Sequence, residues 1–256
     1  MNVMGIAVLA IFAFFFVTTK GYVWASDRFS VGSPSTRHVY WLYRHPALVW
    51  LTDRQFVVST VLLFQYKKLA TMALALAPRA DRGKWALQVA CVSGNLTERL
   101  AAQFREGRVL VFDLVQAGIH NSREKLVRAG RADSAIFFQG DAAKMSIRSG
   151  SMDYIVAFFL FHELPSAKKK EVFYECLRVL KLHGRFVYVE FHRPDSFLLR
   201  MLARTIFGLF EPYALEMWRW RPTALLNRKE YLVERETVLG RYFQVVAVTK
   251  LANESS

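Results

Sequence analysis

The sequence predicts an α/β protein with a mostly parallel, Rossmann-like sheet, and three observations predict it. Short apolar runs alternate with helix-patterned stretches from Trp85 onward, the signature of repeated βα units. The stretch Gln88 to Thr97, QVACVSGNLT, follows the first run and opens the first helix, where a nucleotide-binding strand meets its ligand. Asp113 closes the second run, and it stands about twenty residues beyond that loop, the spacing at which an acid grips a ribose.

The elements follow in order. Residues 1–19 carry no ionisable side chain, and Val3 to Val17 is almost wholly apolar, which predicts a short membrane anchor or a targeting segment. Lys20, Arg28, Arg37, Arg44 and Arg54 outnumber Asp27 and Asp53 just after it, so the positive-inside rule puts the main domain on a cytoplasmic or matrix side. Residues 20–84 form an aromatic, basic preamble with two or three helices broken at Pro46, ending in the turn-rich linker Pro78 to Lys84. Within 85–250, strands are expected at Ala86 to Val92, Val109 to Phe112, Ala135 to Phe138, Tyr154 to Phe159 and Arg185 to Val189. Helices are expected at Leu96 to Phe104, Ile119 to Ala129 and Lys168 to Leu180, and Tyr231 to Leu239 with Phe243 to Val248 reads as a closing strand pair. A helical insertion at about 195–228 and a polar tail at 251–256 complete the chain.

A hydrophobic fraction of 53% over 256 residues supports one large core, and a net charge of +14 asks for an anionic partner. An anionic lipid surface and nucleic acid both qualify, but no nucleic-acid-binding module is present in the sequence. Cys91 and Cys176 show no metal or disulfide spacing and fit a reducing compartment as core residues.

The loop carries the sharpest signal. The S-adenosylmethionine (SAM) methyltransferase pattern is hydrophobic-acid-x-Gly-x-Gly-x-Gly. Against it, Gln88 replaces the acid, Ala90 and Val92 replace two glycines, and Gly94 survives after Ser93. Glycines there let backbone approach ligand without an intervening Cβ. The predicted fold is therefore class I SAM-methyltransferase-like, with the amino-acid end of the ligand site rebuilt. Asp113 is a ribose candidate, and Asp141 with Ala142 is placed for the adenine amino group; a plain capping role for either aspartate is the alternative.

Phe158 to Pro165, FFLFHELP, and Val189 to Pro194, VEFHRP, end the fourth and fifth strands and face one crevice. His162, Glu163, Glu190 and His192 can act there as bases or as ligands to a divalent ion, with capping and backbone hydrogen bonding as the structural alternatives. Phe197 to Phe210 sets Arg200 and Arg204 one turn apart on an oily helix and leads to Met217-Trp218-Arg219-Trp220-Arg221, a pattern suited to a membrane interface or to a lid packed on the core. Lys168 to Lys170 reads as a solvated helix face.

From about His38 to Val248, the degenerate loop, FFLFHELP, VEFHRP, LFEPYALEMW and the upstream RHPALVWLTDRQFVVSTVLLFQYKKL resemble the RquA rhodoquinone-biosynthesis family, which is related to quinone C-methyltransferases. The resemblance implies conversion of ubiquinone to rhodoquinone, with SAM as donor of an amino group that replaces a ring methoxy group, and with a divalent metal, manganese in particular. It implies His162 as first candidate base, with Glu163 or Glu190 second. Tyr66 would close over SAM, unless it only packs on the sheet. The implied setting is a membrane, at the cytoplasmic face of a bacterial inner membrane or in a mitochondrion-like organelle. Two other readings stay open: a conventional methyltransferase acting on a quinone or RNA, and a non-catalytic SAM-fold subunit that binds lipid or a partner.

Overall fold

The structure is a computed structural model and describes residues 55–78, 83–91, 94–105, 107–210 and 213–252. The expected segment 1–19 and most of the helical preamble lie outside those residues. The part of the preamble that is described forms α1 (Gln55–Val61) and α2 (Tyr66–Ala75).

Parallel βα units then follow as their sequence patterns predict. They run β1 (Trp85–Val89), α3 (Leu96–Gln103), β2 (Arg108–Asp113), α4 (Gln116–Arg128), β3 (Ala135–Gln139), β4 (Met152–Phe158), α5 (Ser166–Val179) and β5 (Leu180–Phe191). After α6 (Phe197–Phe210) and two short 3₁₀ turns, β6 (Tyr231–Val238) and β7 (Phe243–Lys250) return as a hairpin. The sheet order is β3-β2-β1-β4-β5-β7-β6, with β7 antiparallel to both β5 and β6 and the remaining pairs parallel. This is the class I SAM-methyltransferase, Rossmann-like fold. Strand order reverses between β1 and β4, so the crevice beyond their carboxyl ends is where such a sheet binds ligand.

Alternation along each strand supplies two cores. Ala86, Val109, Val111, Tyr154, Val156 and Val187 face the layer of α1, α2, α3 and α6. Leu87, Leu110, Ile155, Ala157 and Phe186 face α5, as a side-chain period of two requires. The preamble is part of the first core: Leu69, Ala70 and Ala73 of α2 are fully buried, and the Tyr154 hydroxyl donates to the Ala73 carbonyl at 2.7 Å.

Two expectations need correction. The first strand stops at Val89 rather than Val92, because Ala90 takes φ +73°, a left-handed conformation that ends the extended run. The Lys168 to Lys170 stretch is not simply a solvated face. Lys169 has no exposed surface, and its Nζ donates to the Tyr213 carbonyl at 3.0 Å and to Glu216 at 2.7 Å.

Candidate cofactor and catalytic site

The loop after β1 is organised by residues the motif pattern does not contain. Gln88 is fully buried; its amide Nε2 donates to the Ala90 carbonyl at 3.0 Å, while its Oε1 is buried without a partner. An orphan acceptor at the strand end, where the missing acid would sit, fits a donor such as a ligand ammonium. Ala90 holds its left-handed turn by donating its N–H to the Phe112 carbonyl at 2.8 Å. An alanine there costs about 1–2 kcal/mol relative to relaxed backbone.

Gly94, the surviving glycine, has φ +97°, and a Cβ on it would lie 2.5 Å from both Cζ and the hydroxyl of Tyr66. Tyr66 is buried behind the loop, and its hydroxyl accepts the Asn95 N–H at 2.7 Å. Its ring meets Phe158 edge-on at 5.7 Å. Tyr66 thus braces the loop from the core side. Val92 and Ser93, the other candidate cofactor contacts in this loop, lie outside the described residues.

Asp113 stands at the end of β2 beside this loop. Its carboxylate accepts the Cys91 N–H through Oδ2 and the Val115 N–H at 2.6 Å through Oδ1. Burial pushes its pKa up to about 6, against the lowering effect of those backbone donors. Asp141, half-buried after β3, caps its own turn by accepting the Ala143 N–H at 2.8 Å and pairs with Lys168 at 3.2 Å. Ala142 lies in the same turn and packs against the second core.

Beyond β4 and β5 a buried carboxylate gathers donors. Glu190 has no exposed surface. Its Oε1 accepts N–H groups from Phe161 at 2.6 Å and His162 at 3.3 Å; its Oε2 accepts the Phe191 N–H at 3.3 Å and lies 3.1 Å from His162 Nδ1. A carboxylate at Glu190 would accept from Nδ1 and so make Nε2 the acceptor nitrogen of the His162 ring. Phe191 and Phe159 flank the ring edge-on at 4.9 and 6.0 Å. Glu163, next in the chain, is half-buried. His192 is buried with Nδ1 against the Arg193 and Arg241 carbonyls at 3.1 and 3.2 Å, and its Nε2 has no partner among the described residues. Burial, reinforced by Arg221 and Arg241, holds its pKa below the usual histidine value.

The structure joins His162 to Glu190 and sends His192 to a separate set of partners. The four residues expected as metal ligands therefore do not form one donor set: both Glu190 oxygens and both Nδ1 atoms are committed to protein groups. Among the described residues no cluster of three or more His, Cys, Asp or Glu is arranged to hold a metal ion. As placed, the described residues gather no divalent-ion site.

Sequence reasoning missed the Lys169–Glu216 pair and the packing of Trp220, whose ring lies 4.7 Å from Phe161 and 5.8 Å from Tyr188. A lysine directly before a polar neighbour on a helix carries no sign of its burial. The Trp-rich run 217–221 was the available signal for the second contact.

Fold and loop geometry define the class: a SAM-methyltransferase-like Rossmann fold with a ligand crevice at the β1–β4 switch. The methyltransferase-domain family matches residues 86–184. The ubiquinone/menaquinone biosynthesis C-methyltransferase UbiE of Azotobacter vinelandii is 30% identical over 134 residues, covering 52% of each chain. An uncharacterized methyltransferase of Synechocystis is 27% identical over 172 residues, covering 67% of this chain and 75% of that one. The chain thus spans about half the length of the UbiE relative it matches. Among solved structures, a SAM-dependent methyltransferase from Aquifex aeolicus superposes with TM-score 0.58 at 18% identity, covering 81% of this chain and 99% of that one. Geranyl diphosphate C-methyltransferase of Streptomyces coelicolor superposes with TM-score 0.51 at 12% identity, covering 73% and 79%; these two likenesses speak for the fold alone. Residues 86–184 thus match the methyltransferase-domain family and are similar in sequence to a quinone C-methyltransferase.

Proposed function

We propose that the protein is a SAM-dependent transferase acting on the head group of a membrane quinone, and that methyl transfer to a ring carbon is its first reading. The similarity to quinone C-methyltransferases supports this reading. The observation that carries it is the strand-end geometry: a half-buried Asp113 beside the loop as ribose acceptor, and the orphan Gln88 Oε1 as acceptor for the ligand's ammonium.

When bound, SAM supplies an electrophilic methyl group on its sulfonium. The chain's own residues then have three tasks. Asp113 and Gln88 fix the two ends of the cofactor, and Tyr66 holds the loop in place through Asn95. His162, oriented at Nδ1 by Glu190, takes the proton that the ring must lose. Phe159, Phe191 and Phe243, packed ring to ring at 5.1–5.7 Å, form an apolar wall next to His162 that excludes water.

A second reading is favoured by one observation. Gln88 in place of an acid and Ala90 in a glycine conformation rebuild only the amino-acid end of the site. That is the change expected if the SAM nitrogen, rather than its methyl, faced the quinone, as in the resembled rhodoquinone enzymes. The ring carbon would then bond the SAM nitrogen and lose its methoxy group as methanol, and elimination across Cα–Cβ of the SAM remainder would break the N–Cα bond, the Cβ proton returning to nitrogen as the aminoquinone is freed. His162 would receive the ammonium proton. No step in either reading is routed through a metal.

One experiment separates the readings. The protein is incubated with a ubiquinone, in both oxidised and reduced form, its demethylated analogue, and SAM labelled at methyl carbon and amino nitrogen, and products are read by mass spectrometry. Carbon label in the quinone supports methyl transfer, and nitrogen label with loss of methoxy supports amino transfer. No label in any quinone sinks both.

A further inference from the structure

Beside the crevice, at the end of β5, lies a basic cleft to which the proposed reaction assigns no task. Its larger lobe, about 760 Å³, is lined by Arg193, Arg200, Arg204 and Arg219 with Trp218 and Trp220. A smaller lobe of about 300 Å³ shares Arg193, Arg200 and Trp218 and adds Arg221 and Arg241. The two carboxylates along it are already engaged: Glu216 binds Lys169 and Asp195 binds Arg241. Among the described residues Arg193, Arg200, Arg204, Arg219 and Arg221 have no carboxylate partner. Cations crowded this way repel one another. Burial, together with Arg235 and Arg241, holds the Arg221 guanidinium below its usual range.

A second observation points to a missing acceptor. Trp218 Nε1 is buried and without a partner, and an indole N–H can only donate. A buried donor left unpaired costs about 1–3 kcal/mol, and Trp218 lines both lobes of the arginine cleft, where an anionic oxygen would satisfy it most simply.

The third observation names the source of that oxygen. On α6, Leu199, Ala203, Ile206 and Phe207 pack inward, whereas Phe197, Leu198, Met201 and Leu202 are exposed by 66, 77, 54 and 49%. At 100° per residue the exposed four form one stripe and Arg200 and Arg204 stand along its edge. An exposed apolar stripe rimmed by arginines has the form of an interfacial helix. A free phosphate or a nucleic acid would use the arginines and have no need of the stripe.

We propose that the arginine–tryptophan cleft binds the phosphate of an anionic phospholipid while the outer stripe of α6 enters the acyl region beside it. The chain is thereby seated on an anionic bilayer with the His162–Glu190 crevice next to the surface, since Trp220 bridges cleft and crevice through its contact with Phe161. This surface is independent of which group is transferred, and its test needs no SAM.

The test is co-sedimentation of the full-length protein with phosphatidylcholine vesicles with and without phosphatidylglycerol, at low salt. The readout is the ratio of the two affinities, which cancels any contribution from the apolar N-terminus. Replacing three cleft arginines (Arg193→Gln, Arg200→Gln, Arg219→Gln) is expected to lower that ratio by about a hundredfold. An equal loss of charge elsewhere (Arg105→Gln, Arg128→Gln, Arg148→Gln) is expected to lower it by less than about tenfold. Leu198→Ser with Met201→Ser is expected to weaken binding to the phosphatidylglycerol vesicles several-fold, and circular dichroism verifies that each variant is folded. Equal losses from the two arginine triples would overturn the cleft in favour of diffuse charge. Unchanged binding by the serine pair would overturn the lipid in favour of a small anion, which inorganic phosphate would then displace. Tighter, cleft-dependent binding of a single-stranded RNA oligomer than of the vesicles would overturn it in favour of nucleic acid.

Discussion

Gly94→Ala probes why one loop glycine survived. The new Cβ would meet the Tyr66 ring at 2.5 Å to Cζ and 2.7 Å to Cε2, and Tyr66 is buried and cannot swing away. Two costs add. A side chain held at φ +97° costs about 1–2 kcal/mol, and forcing an atom into a packed core costs about 1–3 kcal/mol. The sum is about 2–5 kcal/mol, and at about 2–4 °C per kcal/mol for a chain of this size the melting midpoint should fall by roughly 5–15 °C. Denaturant unfolding gives the stability and isothermal calorimetry the SAM affinity, which should fall as well because the loop is displaced toward the ligand. Tyr66→Phe alone should cost about 1 kcal/mol through the lost Asn95 hydrogen bond. The double variant should lose less than the sum, because removing the hydroxyl relieves one of the two closest contacts. Losses that add fully, or a Gly94→Ala change below about 0.5 kcal/mol, would refute the view that Tyr66 dictates this glycine.

Other outcomes follow from the same geometry. Glu190→Gln puts an amide NH₂ where a carboxylate oxygen now accepts N–H groups, so it should destabilise the protein by about 2–4 kcal/mol in urea unfolding. It should also lower the turnover number more than it changes the Michaelis constant. Asp113 has its pKa raised by burial to about 6, so its protonated form favours the folded state at low pH, and that contribution is lost as pH rises from about 4 through about 6. Calorimetric SAM affinity should run the opposite way, constant above about pH 7 and falling up to tenfold per unit below about 6, because the ribose hydroxyls need an ionised acceptor. A profile flat to pH 4.5 would remove Asp113 from the site. Lys169→Met leaves Glu216 without its cation but still accepting from the Ser166 hydroxyl, and 41% exposed. Its cost should therefore stay near 1–2 kcal/mol in urea unfolding, below the roughly 3–5 kcal/mol of a fully buried broken pair.

The parts of the fold that rest on periodicity were legible in the sequence. Buried parallel strands read as apolar runs, and each of the five expected ones lies within three residues of its observed span, apart from the early start of β5 at Leu180. That start is hidden because Leu180 continues directly from α5, with no turn residue between them. Asp113 was legible because its place is set by spacing from a loop. The bracing of Gly94 by Tyr66 was not, since the two are far apart in sequence and a motif reads glycine as ligand clearance rather than as room for a core ring. The gathering of backbone donors on Glu190 was equally hidden: the sequence shows four ionisable residues near one crevice and nothing of which atoms are already spent. That is why the sequence reads all four as candidate ligands of one ion, whereas the structure pairs His162 with Glu190 and gives His192 other partners.

The central claim is that a SAM site with a rebuilt amino-acid end serves a membrane quinone, and the doubly labelled SAM assay tests it most directly. Label from SAM, carbon or nitrogen, should appear in the quinone ring system with the wild-type protein. Ala90→Gly should keep SAM binding while changing the rate or the identity of the label transferred. SAM bound without label reaching any quinone, or a product identical in rate and label for wild type and Ala90→Gly, would contradict the account.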